Sequence, residues 1–264
     1  MPLAPDPGRI PMEIIAHRGA SHDAPENTLA AVRLAWEQGA DAVEVDVRCS
    51  QDGKLVVIHD NTTRRTAGLN RRVNQQSLAQ LRALDAGRWK AREWSGERIP
   101  TLEEVMATVP EGKRLFVELK CGPEGIPDMV RLAQGKPKRA AHLVAIGFSR
   151  PTMKCLKARL SDLEVCWISR FRRSWRTGRW SPSATELIAA AREAGLDGLD
   201  LGAGSPVNAG LVHQLKAAGL KVYVWTVDSP VKACKLAVAG VHGITTNRPG
   251  WLRQKLVPHI LHAR

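Results

Sequence analysis

The feature that most constrains this chain is an alternation of two hydrophobic periods along its whole length. Short β-branched or apolar runs stand at residues 13–17, 42–47, 55–59, 114–120, 142–146, 164–168, 198–201, 221–227 and 243–246. Between most of them lie segments with helical spacing, at 28–38, 101–107, 151–160, 184–194, 207–218 and 230–239. Asn27 is placed to cap the first of these, and Thr101 with Glu104 has the spacing of a capping box. Gly39, Gly195, Gly219 and Gly240 close four helices where a left-handed residue is wanted. Strand–helix alternation repeated about eight times demands parallel pairing with helices as cover. In a chain of 264 residues that favours one closed (β/α)8 TIM-type barrel over an open sheet. No GxGxxG follows the first strand, which weighs against a dinucleotide-binding sheet. Residues 1–264 read as a single domain, with 61–98 as a small basic insertion after the second barrel strand.

Polar residues crowd the strand ends, the end of a barrel that carries active sites. His17 and Arg18 close the first strand, and Glu44 and Asp46 lie on the second. His59 and Asp60 end the extended run after it, and Glu118 and Lys120 end the next. Residues i and i+2 share one face of a strand, so Glu44 pairs with Asp46, and Glu118 with Lys120. Carboxylates among Val and Leu are costly to bury without a cation. Glu44, Asp46 and Glu118 make an all-oxygen set suited to Mg²⁺ or Ca²⁺. Arg18 and Lys120 would clamp an anionic oxygen, and His17 and His59 titrate near neutrality. Together these groups describe phosphoryl-transfer chemistry. His22, His142, His213, His242, His259 and His262 have no such company.

At these residues the chain resembles the glycerophosphodiester phosphodiesterase family. The blocks that carry the resemblance are AHRGASHDAPENTLAA (16–31), GADAVEVDV (39–47), DGKLVVIHD (52–60), IPTLEEV (99–105) and VELK (117–120), with VYVWTVD (222–228) and GITTNRPG (243–250) toward the end. The resemblance implies a metal-dependent barrel that releases glycerol 3-phosphate and an alcohol from glycerophosphodiesters such as glycerophosphocholine or glycerophosphoethanolamine. It makes His17 and His59 the acid–base pair, Glu44, Asp46 and Glu118 the metal ligands, with Mg²⁺, Ca²⁺ or Mn²⁺ as the ion, and Arg18 and Lys120 the phosphate contacts. Glu26 and Asn27 would support the metal site, and Trp225 would pack on the glycerol or sit in the core. His242 and Asn247 stand where the family usually has Asp, and Ser50 where it has Thr; Asn247 is expected to cap the last helix. A cyclic phosphate intermediate and direct attack by water both stay open.

Charge adds a further expectation. Lys and Arg outnumber Asp and Glu by 13. Residues 61–98 contribute +6 of this and residues 169–180, SRFRRSWRTGRW, contribute +5. Both follow strands and should lie on the catalytic face, where Arg interleaved with Trp suits steering of anionic diesters or contact with an anionic membrane surface. A lysophospholipase D or broader phosphodiesterase is the rival on the same site, and a polyanion- or nucleic-acid-binding barrel is the lesser one. Five scattered cysteines without a CxxC pair, and an opening MPLAPDPGRIPM without a signal-peptide pattern, are read as a cytoplasmic protein. The oligomeric state is not set by the sequence.

Overall fold

The structure, a computed structural model, describes residues 12–261. The opening segment up to residue 11, and His262, lie outside them.

Among the described residues eleven strands form: β1 (Glu13–His17), β2 (Ala42–Cys49), β3 (Leu55–Val57), β4 (Arg114–Leu119), β5 (Leu143–Gly147), β6 (Glu164–Ser169), β7 (Arg172–Arg173), β8 (Trp180–Ser181), β9 (Gly198–Gly202), β10 (Lys221–Trp225) and β11 (Gly243–Thr246). β1, β2, β4, β5, β6, β9, β10 and β11 pair in parallel, and β1 bonds to both β11 and β2, so the eight close into a barrel. The expected (β/α)8 barrel is therefore present. β3 is antiparallel to the outer end of β2, with Val47 opposite Val57. It is a hairpin return above the barrel rather than a barrel strand.

Strand alternation divides the chain into two cores. Ile15, Ala42, Phe116, Val144, Ile146, Cys166, Ile168 and Tyr223 point inward and fill the barrel. Their neighbours in sequence, such as Ile14, Val43, Val45, Leu115, Val117 and Val222, face outward against the helices. This is why the strands read as almost continuous apolar runs: both faces are covered. The insertion has its own small core of Val73, Leu81 and Ala86 packed on Val56, Ile58 and Ile99.

Helix starts follow local chemistry. Ser183 and Thr101 form capping boxes with Glu186 and Glu104. Gly39, Gly195, Gly219 and Gly240 all take a left-handed φ of 66–82°. One helix, Ile126–Gly135, lies in a stretch between the expected elements. The preceding CGPEG run disguises it, yet Pro127 falls in its first turn, where proline is tolerated. Its buried Ile126, Met129, Leu132 and Ala133 keep helical spacing. The first helix, Leu29–Glu37, is capped by Thr28, whose side chain accepts from the Ala31 N–H, and not by Asn27.

The bottom of the barrel is plugged by a polar cluster. Arg114 donates to both carboxylate oxygens of Glu13 at 2.9 and 3.0 Å and to the Tyr223 hydroxyl at 3.0 Å. Glu164 joins Arg114, Lys221 and Tyr223. Removing one member of a largely buried set strands the others. Arg114→Met is therefore expected to cost about 3 kcal/mol of stability, read as a lower urea midpoint at unchanged slope. A midpoint equal to that of the wild type would show the plug to be dispensable.

Among the described residues, no helix is long and apolar enough to cross a membrane.

Candidate active site

The site begins where β1 ends. After His17 the chain reverses through Arg18 and Gly19, with φ of 56° and 80°. A side chain at Gly19 would place its Cβ 2.5 Å from the Ala31 carbonyl carbon, so only glycine lets this loop lie against the first helix. The turn aims the Arg18 N–H at Glu44 Oε2, 2.9 Å away. The Arg18 guanidinium then stands 3.0 Å from Asp46 Oδ2 and donates to Glu26 Oε1 at 2.8 Å.

Glu44, Asp46 and Glu118 project inward from adjacent strands, with Asp46 level with Glu118. One oxygen from each lies within 4.8 Å of the others. Glu44 Oε1, Asp46 Oδ1 and Glu118 Oε1 are buried without an aligned hydrogen-bond donor. Lys120 Nζ meets part of this charge, at 2.7 Å from Glu118 Oε1 and 3.2 Å from Asp46 Oδ1. Burial, and then the neighbouring Asp46 and Glu118, push the Glu44 carboxyl well above its usual range. Burial and Asp46 push Glu118 up to about 7. Burial acts against ionised Asp46 too, but Arg18 and Lys120 outweigh it and hold that carboxyl low. Three buried carboxylates that each bring an oxygen within 4.8 Å of the others are what a hard divalent cation takes. The residues fit such an ion.

Asn27 supports this set from a left-handed backbone, φ 61°. Its Nδ2 donates to Asp46 Oδ2 at 2.9 Å, and its Oδ1 accepts from the Asp46 N–H at 3.1 Å.

The two imidazoles are held differently. His17 Nδ1 lies 2.7 Å from Asn247 Oδ1. Asn247 Nδ2 donates to Asp228 at 2.7 Å, so its Oδ1 is the acceptor and His17 carries its proton on Nδ1. The bare Nε2 then faces Glu44, 4.0 Å from Oε2. Burial, and then Arg18, lower the His17 pKa and keep the ring neutral. His59 Nδ1 instead meets Asp60 Oδ1 at 2.6 Å. Hydrogen bonds from Arg65 keep Asp60 ionised, far below the usual carboxylate range.

Arg65 is the residue the strand ends gave no hint of. Its guanidinium holds Asp60 through Nε at 2.8 Å and both oxygens of Glu26 at 2.8 Å. Trp225, at the end of β10, is half-buried. Arg170 stacks on it at 4.6 Å and Phe148 meets it edge-on at 5.7 Å. Trp225 thus packs on the inner barrel core while also meeting residues at the mouth. Asn247 differs from the cap expected of it, because its side chain is engaged with His17, Ser21 and Asp228. His242 sits at the opposite end of the barrel, its Nδ1 accepting from the Val222 N–H. Ser50 closes the β2–β3 turn, accepting from the Lys54 N–H and donating to Asp52.

A family model for glycerophosphoryl diester phosphodiesterases matches residues 17–251. The chain belongs to this family. Among the relatives of this phosphodiesterase-family enzyme is a glycerophosphodiester phosphodiesterase of Caldanaerobacter subterraneus, 32% identical over 244 residues, covering 89% of this chain and 94% of the relative. One of Bacillus subtilis is 28% identical over 252 residues, covering 89% and 83%. A phosphodiesterase of Oleispira antarctica, solved with the product sn-glycerol-3-phosphate, superposes with a TM-score of 0.79 at 29% identity, covering 92% of this chain and 96% of that one. The matched span includes the ten residues to which the resemblance gives a role in the site.

Proposed function

We propose that the chain is a single catalytic domain that hydrolyses glycerophosphodiesters to glycerol 3-phosphate and an alcohol. Glycerophosphocholine and glycerophosphoethanolamine are the expected substrates. The observation that carries this reading is the convergence of three buried carboxylates beside the cations of Arg18 and Lys120 and the His17 imidazole. Family membership supports it, as does the product bound by the Oleispira antarctica relative.

In this reading Glu44, Asp46 and Glu118 hold a divalent cation: Mg²⁺, Ca²⁺ or Mn²⁺. When bound, such an ion polarises a phosphoryl oxygen and offsets charge that develops on it. Arg18 and Lys120 bind the phosphate oxygens. Arg18 presents a fork held in place by Glu26, and Lys120 presents a point charge. His17, neutral with a bare Nε2, takes the proton of the attacking hydroxyl. His59, backed by ionised Asp60, holds the proton that the leaving alkoxide requires. Asn27 and Glu26 are positioning residues, and Trp225 forms an apolar wall for the glycerol. The five free cysteines support placing the enzyme in the cytoplasm.

The test is glycerol 3-phosphate release from glycerophosphocholine after chelation, followed by each ion in turn. Turnover that vanishes with chelator and returns with one of the three ions is expected. Activity that survives exhaustive chelation would overturn the metal assignment. Faster release of choline from lysophosphatidylcholine than of glycerol 3-phosphate from glycerophosphocholine would favour the lysophospholipase D reading.

A further inference from the structure

Between β6 and the helix Ala184–Glu193 the chain leaves the catalytic end of the barrel as a two-stranded hairpin. Arg172 pairs with Ser181 and Arg173 with Trp180. The turn is closed by Ser174 N–H to Arg179 O and Gly178 N–H to Ser174 O, both 2.8 Å. Arg173 braces it from the side, donating to Gly178 O at 3.0 Å. At the tip stands Trp175, 87% exposed and the most exposed large hydrophobic residue among those described. Arg176 stacks on its ring at 4.9 Å. Residues 169–185 contain no acidic side chain. Arg172, Arg176 and Arg179 have no acidic partner within 4 Å among the described residues.

An indole left in water beside unpaired guanidinium groups is unexplained by folding. It matches the composition of an interfacial anchor, with an amphipathic ring at headgroup depth and cations at the anionic surface. We propose that this hairpin docks the mouth of the barrel onto an anionic phospholipid bilayer. Shape separates this from a nucleic-acid site. Single strands are bound in a groove lined by successive stacking platforms, whereas here one ring projects from a convex tip. Trp180 on the hairpin and Phe148 beside Trp225 are exposed too, at 40% and 44%. Arg170, at the base of the hairpin, stacks on both Phe148 and Trp225. Docking at the tip therefore sets the mouth against the lipid headgroups. With the hydrolytic reading above, on which this extension rests, lipid-borne glycerophosphodiesters such as lysophospholipids come within reach.

The test is co-sedimentation of the full chain with phosphatidylcholine vesicles, with and without phosphatidylglycerol. Binding should require phosphatidylglycerol and be lost at high salt. Each exposed arginine contributes about fivefold at such a surface, so R172A/R176A/R179A should weaken binding by about a hundredfold. Trp175→Ala should release the protein at lower salt than the wild type. Turnover of soluble glycerophosphocholine should be unchanged in both variants, which also reports that they fold. Wild-type protein left in the supernatant, or a triple variant that sediments as well as the wild type, overturns the proposal. Tighter binding to a single-stranded oligonucleotide than to vesicles of equal anionic charge overturns it in favour of nucleic acid. Sedimentation does not read turnover, so failure of the catalytic assignment would register separately.

Discussion

His17→Ala and His59→Ala should each lower kcat by roughly 10²–10⁴-fold without loss of the fold, and the two should part on the leaving group. A nitrophenolate departs without needing a proton. With a nitrophenyl diester the His59→Ala deficit should shrink, because that ring is assigned to the leaving oxygen, while the His17→Ala deficit should persist. The tautomers support this division: His17 presents a bare Nε2, whereas His59 leans on a carboxylate at 2.6 Å. Rescue of His17→Ala alone would reverse the two roles, and equal rescue of both variants would remove the division between them. Near wild-type turnover in either variant would remove that histidine from the acid–base pair.

The second large effect is expected at Glu44, where stability and function pull in opposite directions. Its carboxyl is raised by burial and by Asp46 and Glu118. A raised folded-state pKa in an acid means that the fold disfavours the ionised form. Stability from this group is thus greatest below its unfolded pKa and falls as the pH rises past that value. At pH 7 the metal-free wild type carries that cost. Glu44→Gln keeps the shape and removes the charge, so the metal-free variant should melt higher than the metal-free wild type. The shift should be about 2–4 °C for each kcal/mol relieved. Its metal affinity should fall by more than the 10–100-fold typical of outer-shell changes. Metal titrations followed by melting temperature read both quantities. A variant that melts lower than the wild type and binds metal equally well would sink the ligand assignment.

The fold was legible because a barrel strand covered on both faces has a distinctive appearance: a short apolar run closed by a polar residue. The convergence of His17, Glu44, Asp46, Glu118 and Lys120 was legible for the same reason, since strand parity and the parallel order suffice to bring them together. What the sequence hides is pairing across distance. Asn27 and Asn247 both precede helices and resemble caps, yet one stitches Asp46 and the other orients His17 from 230 positions away. Nothing local distinguishes an asparagine that caps from one that reaches across the barrel. Arg65 was hidden by its surroundings, being one arginine among nine basic residues in the insertion. The helix Ile126–Gly135 was obscured by the two glycines and the proline just before it.

Arg65 also makes the insertion more than a basic appendage. Its one guanidinium holds Glu26, which steadies Arg18, and Asp60, which steadies His59. The groups assigned to phosphate binding and to proton delivery therefore share a common hinge pin, carried by a segment outside the barrel's repeating pattern. In mechanical terms the two are not independent parts. A shift of the short helix Arg64–Ala67 would loosen both together, so disturbance of the insertion should be felt at the site as one failure rather than two.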